Sequence, residues 1–205
     1  MDFERYEISA FAYWNRSREL LSEFEQSRHK LLYSAYELRC AIESFLYDYL
    51  CFLHDAQLSK TLEKLYLAKD LKNAIRNIEP DFEQRIAFNN LIHLAMGLDV
   101  VNIPVPDLDK LGELYGRIGA FMHVQKEAMD SKGSDTRWAE LEKLVKDTQT
   151  FMHDLVHPQK SRVELTPDGV ALFEDFKCGS KSSDEIKTII QADINRFFSG
   201  AQIQL

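Results

Sequence analysis

Arg117 and His123 stand six positions apart in one helical stretch, and Arg39 and Glu43 stand four apart in an earlier one. These residue types do chemistry on phosphate. A guanidinium fork matches phosphate oxygens in pairs. An imidazole titrates near neutral pH, so it serves as acid or base. A carboxylate one helical turn from an arginine orients a neighbouring cation or histidine. Read more plainly, it makes a solvated i, i+4 ion pair worth about 0.5 kcal/mol.

The elements that carry these groups set where they point. At 100° per residue, Leu108, Leu111, Leu114, Tyr115, Ile118, Phe121 and Met122 form an ordinary apolar arc. Beside it Gly112, Gly116, Gly119 and His123 line up at spacings of 4, 3 and 4. Glycine costs about 1 kcal/mol relative to alanine inside a helix. Three on one stripe therefore predict the close approach of another backbone, from a neighbouring helix or a second copy of the chain. The plainer reading is tight packing, with His123 as a hydrogen-bonded core histidine.

The earlier helix, about residues 28–54, buries Leu31, Leu38, Ala41, Ile42, Phe45, Tyr49, Phe52 and Leu53 on a broad face. Along its edge run Tyr36, Arg39, Glu43, Tyr47, Leu50 and His54. The functional reading is a charged edge facing the glycine groove, with Glu43 orienting Arg117 or His123.

Residues 1–79 contain no glycine and no proline, which predicts nearly unbroken helix there. A single helix from Trp14 to His54 would span roughly 60 Å, too long for a domain of this size, so a break is expected near Ser27. Another is expected at 55–59, with Ser59 capping a helix that runs to Ile78 and stops before Pro80. Asp81 with Gln84 reads as a capping box, and Gly97 as the residue that ends that helix. Asp107 caps the helix of about 108–129. A turn at 131–134 leads to a helix from Thr136 to His157, which Pro158 stops.

The pattern then changes. Arg162 to Leu165 alternates, Thr166-Pro167-Asp168-Gly169 reads as a turn, and Val170 to Phe176 as a second strand. Ser182 with Glu185 forms another capping box before a last helix. The expected fold is all-α: residues 1–158 form a bundle of about five helices, and 159–205 form a small β-hairpin plus a final helix.

Composition narrows the function classes. The chain has 205 residues, 45% of them hydrophobic, with only eight glycines and five prolines. That excludes collagen-like, low-complexity and loop-dominated chains and argues against a β-sandwich. The net charge of −8 excludes broad nucleic-acid affinity through bulk charge, although a local basic site remains open. The N-terminus lacks a signal-peptide pattern and no long apolar run is present, so no membrane contact and a cytoplasmic location are expected. Cys40, Cys51 and Cys178 are too sparse for a disulfide framework and read as small apolar residues.

The run Tyr36-Glu37-Leu38-Arg39-Cys40-Ala41-Ile42-Glu43, followed later by Arg117-Ile118-Gly119-Ala120-Phe121-Met122-His123, resembles the HEPN superfamily. Those are helical bundles whose late helix carries an Arg, four to six residues, then a His; here five lie between. The resemblance covers about residues 28–157. It implies a homodimer in which two Arg…His motifs face one cleft. It also implies a metal-independent endoribonuclease of a defence or toxin–antitoxin type. RNA is then the substrate, no cofactor is needed, and an antitoxin or other protein is a partner. Arg117 would hold the scissile phosphate and His123 would act in acid/base chemistry. Glu43 with Arg39 would orient them, Arg39 and Tyr47 would line the substrate site, and Gly112, Gly116 and Gly119 would pack the dimer. The family often places Asn, Asp or His after the Arg, where this chain has Ile118. That departure keeps a second reading open: a non-catalytic HEPN-like module binding a protein or nucleotide.

The chemistry of metal-free RNA cleavage fits these residue types. It needs a base for the 2′-hydroxyl, an acid for the leaving 5′-oxygen and cationic donors for the phosphorane. On an ideal helix Arg117 and His123 project about 120° apart, so a two-fold partner is needed to bring both together.

Other constellations are weaker. His153 and His157 stand at i, i+4, a spacing that suits zinc, but no third ligand follows by spacing, so no metal site is assigned. His93 reads as a core histidine. No phosphate loop, dinucleotide fingerprint or nucleophile elbow is present.

Overall fold

A computed structural model describes residues 8–24, 27–53, 64–65, 67–98, 103–122, 134–156 and 164–201. It is all-α, with eight helices and no strand among the described residues: α1 (Ala10–Ser22), α2 (Arg28–Leu53), α3 (Ala68–Ile78), α4 (Phe82–Ala95), α5 (Leu108–Met122), α6 (Ser134–Met152), α7 (Pro167–Cys178) and α8 (Ser183–Ala201). No described helix is long and apolar enough to cross a membrane.

Local signals set most of the helix ends. The break expected near Ser27 separates α1 from α2. Gly97 adopts φ 73°, a left-handed conformation that glycine reaches without a Cβ clash, and Leu98 N–H closes back on His93 O at 2.8 Å. Asp107 Oδ1 accepts from Lys110 N–H at 2.8 Å and so caps α5. Ser182 and Glu185 form both arms of their capping box: Ser182 N–H donates to Glu185 Oε2 at 2.8 Å, and Glu185 N–H to Ser182 Oγ at 3.3 Å.

Three expectations are corrected. Residues 164–176 do not form a hairpin, because Thr166-Pro167-Asp168-Gly169 starts a helix instead of turning a strand. Thr166 Oγ1 accepts from Gly169 N–H at 3.2 Å, and Pro167 takes the first helical position, where its missing N–H costs nothing. The Asp81 side chain makes no capping bond, because its Oδ2 accepts from Lys177 Nζ at 2.8 Å. α6 ends at Met152, ahead of Pro158. The expected break at 55–59 and the Ser59 cap lie outside the described residues, as does the turn expected at 131–134 except for Ser134, which begins α6.

The helices gather into two compact units. The first takes Met1–Pro80 and Pro106–Pro158, the second Asp81–Val105 and Gln159–Leu205. In the first, α2 is the central element and packs against α1, α3, α5 and α6. Its Leu31, Leu38, Ile42, Leu46 and Leu50 are buried, as are Leu71 and Ile75 of α3 and Leu108, Leu111, Leu114 and Ile118 of α5. Each such side chain contributes roughly 2 kcal/mol through burial. Leu50, expected at the helix edge, is wholly buried. A polar network ties α1, α2 and α6 inside this core. Ser34 Oγ donates to Ser17 O at 2.8 Å, the two serine hydroxyls lie 2.8 Å apart, and Gln149 Nε2 donates to Ser17 Oγ at 2.9 Å. Every hydroxyl is thereby used, which offsets the cost of burying it.

In the second unit α4 packs against α7 and α8 around Phe88, Phe173 and Ile186. Asn90 holds the segment after α4 by clamping Ile103, accepting its N–H at 2.9 Å and donating to its carbonyl at 2.7 Å.

Candidate functional site

α5 lies against both α2 and α3, and each brings a cation to its glycine stripe. A Cβ at Gly112 would meet Lys72 Nζ of α3 at 3.6 Å. A Cβ at Gly119 would meet Arg39 Nη1 of α2 at 3.3 Å, closer than an ordinary contact. At Gly116 a Cβ would meet no described atom within 4 Å. Within the chain, then, Gly119 makes room for the end of the Arg39 side chain, and Gly112 lies at ordinary contact distance from Lys72, where a close backbone was expected.

Around Gly119 three side chains close into a ring. Arg39 Nη2 donates to the Tyr115 hydroxyl at 2.5 Å, and that hydroxyl donates to Glu43 Oε1 at 2.6 Å. Arg39 Nε completes the ring at 3.7 Å from Glu43 Oε1. The guanidinium also stacks on the Tyr115 ring, 4.3 Å from its centroid. Cation–π stacking and charge-assisted bonds act together here, on side chains only 21% and 27% exposed for Arg39 and Glu43. Burial raises the Tyr115 pKa, and the hydrogen bond to the Glu43 carboxylate adds to the rise, so the phenol stays protonated and donating.

Sequence reasoning had set Tyr115 among the core residues and so missed it. Positions 112, 115 and 119 share one helical stripe at spacings of 3 and 4. That spacing was the available signal.

Nearly two turns from Tyr115 toward the start of α5, Asp109 forms a second cluster. Lys72 Nζ reaches Asp109 Oδ1 at 3.0 Å, and Arg76 bridges both oxygens at 3.1 and 2.9 Å. Hydrogen bonds from Arg76 and then Lys72 hold the Asp109 pKa down to about 2. This fork-on-carboxylate geometry is the one a phosphate would also satisfy.

The remaining candidates are placed as follows. Arg117 is on α5 with 53% of its side chain exposed, and its Nη1 pairs with Glu113 Oε1 at 3.2 Å. Glu43, expected to orient Arg117 or His123, is engaged by Tyr115 and Arg39. Tyr47 is half-buried on α2. His123 lies outside the described residues. Cys40, one position from Arg39, is half-buried, and burial raises its pKa, so it is a thiol and no nucleophile.

His153 packs edge-on against Trp14 at 5.5 Å and sits 2.6 Å from Asp154 Oδ1, while His157 lies outside the described residues. Among the described residues no group of three or more metal-ligating side chains converges. His93 is buried on α4.

The chain matches no protein-family model, no curated protein and no solved structure.

Proposed function

We propose that the α2/α5 face is the phosphate-handling site of a metal-independent endoribonuclease composed across a homodimer. The observation that carries this reading is the position of Arg39 against Gly119, with Glu43 joined to it through Tyr115. It sets the charged edge of α2 on the glycine stripe of α5, the helix that bears Arg117. Arg39 is already held on three sides, so its part is to fix the site's shape and charge. Among the described residues Arg117 is held by an exposed pair to Glu113, a solvent-screened contact that a phosphate can displace. His123 follows as the acid/base group. The open space at Gly116 suits the approach of a second copy, which the 120° divergence of Arg117 and His123 requires.

A second reading draws on a different observation. The cations described on this face each meet a carboxylate: Lys72 and Arg76 on Asp109, Arg39 on Glu43, Arg117 on Glu113. A face so balanced suits a module that binds a protein or nucleotide without cleaving RNA.

The two readings part in one assay. A mixed RNA pool is incubated in EDTA with wild type, Arg117→Ala and His123→Ala, and light scattering gives the oligomeric state. Cleavage by a dimeric wild type that is lost in both variants supports the nuclease. Equal cleavage by all three proteins, or a strictly monomeric active wild type, overturns the assignment. A folded wild type that leaves RNA intact leaves the binding module.

A further inference from the structure

The second compact unit holds a cavity of about 700 Å³, within the range of pockets that enclose a drug-sized molecule. Its floor is hydrocarbon: Phe88 and Ile92 from α4, Leu165 and Leu172 from the start and middle of the α7 segment, and Ile190 from α8. Leu165, Leu172 and Ile190 are only partly buried, so a solute entering the cavity would remove their surface from water.

The rim is acidic. Glu164, Asp168, Asp175 and Asp193 line it, against Lys181 as the cation among the described lining residues. Lys181 is bound to Asp175, and Asp193 pairs with Arg196 at 3.3 Å. Glu164 and Asp168 are exposed, and no described cation pairs with either. Among the described residues, the cavity therefore joins a hydrocarbon floor to a mouth whose unmatched charges are negative. A solute complementary to both is apolar along its length and positive at one end.

We propose that this cavity binds an amphiphilic organic cation, an alkyl or aryl amine whose hydrocarbon body fills the floor and whose ammonium reaches Glu164 and Asp168. The same geometry disfavours a fatty acid of equal length, because its carboxylate would meet like charge at the mouth. The site is independent of the ribonuclease reading.

The test titrates the full chain calorimetrically with dodecylammonium and with dodecanoate, both below micelle formation. Saturable binding of dodecylammonium at one per chain is expected, with dodecanoate weaker by about tenfold. The double variant Glu164→Gln/Asp168→Asn should lose most of that preference, and Leu172→Asn should weaken both ligands while leaving the preference in place. Glu164 and Asp168 are exposed, so a thermal melt is expected to show the double variant folded; the wild-type comparison of the two ligands decides the matter even without it. Absence of saturable dodecylammonium binding, equal affinity for the two ligands, or a preference that survives loss of both carboxylates overturns the proposal.

Discussion

The Arg39 guanidinium lies over the ring of Tyr115, 4.3 Å from its centroid, and donates to the hydroxyl of that same residue. One tyrosine thus engages the cation through its π face and its oxygen, and donates its own hydrogen bond to Glu43. Tyr115→Phe keeps the ring contact and removes both hydrogen bonds of the hydroxyl. It should lower stability by about 1–2 kcal/mol, at about 1 kcal/mol or less for each part-buried hydrogen bond, read as a shift in denaturant midpoint at unchanged slope. A shift near zero would mean that water replaces the phenol at no cost.

The three glycines of α5 separate by substitution. Alanine at Gly116 gains helix propensity and touches nothing described, so Gly116→Ala should raise the stability of a single chain by about 1 kcal/mol. Gly119→Ala should gain less than Gly116→Ala, because Arg39 Nη1 must move away from the new methyl. If the proposed dimer seats its helices at Gly116, the same alanine should raise monomer stability while weakening association. Melts at two protein concentrations distinguish the two effects.

Acid should reveal the Asp109 cluster. Its folded pKa of about 2 lies below the ordinary 3.8, so the unfolded chain takes up the proton first as pH falls. The stability it contributes is complete above about pH 4 and is lost as pH falls toward 2. Glu113, Asp175 and Glu185 are also lowered by their hydrogen bonds and add to the slope in acid. Asp109→Asn should therefore flatten the fall between pH 4 and 2 without abolishing it. Unfolding midpoints across that range measure the difference, and identical slopes in the two proteins would show that the cluster contributes nothing.

The cap at the start of α7 offers a direct check on the corrected hairpin. Thr166→Ala leaves Gly169 N–H without its side-chain acceptor and should cost about 1 kcal/mol. Hydrogen exchange should speed up in the first turn after Pro167. A strand and turn in that segment would show no such polarity along residues 167–178.

Signals confined to a few neighbouring residues were legible before the fold was known. Asp107, Gly97 and the Ser182/Glu185 pair act within one turn of their own helix, so sequence alone places them. The 166–169 segment shows where that stops. Threonine, proline, aspartate and glycine serve a turn and a helix start equally well, and the choice falls to Phe173, which is buried against Phe88 from a distant stretch of chain. The site divides in the same way. Arg39 and Glu43 were readable as a pair on one edge. Tyr115 was not, because its spacing suits a core face and an edge position alike. Asp81 reads as a cap until Lys177, 96 residues away, takes its oxygen.

The second compact unit is built from two stretches of chain, Asp81–Val105 and Gln159–Leu205, with Pro106–Pro158 between them. Synthesis delivers the N-terminal part first, at about 5–20 residues per second. α4 thus leaves the ribosome before Phe173 and Ile186 exist to cover Phe88, and the interval is on the order of ten seconds. Throughout that interval a nascent apolar helix is open to chaperones and to neighbouring chains. A ribosome that stalls near residue 158 makes the exposure permanent, so the last 47 residues complete a core laid down much earlier in the chain.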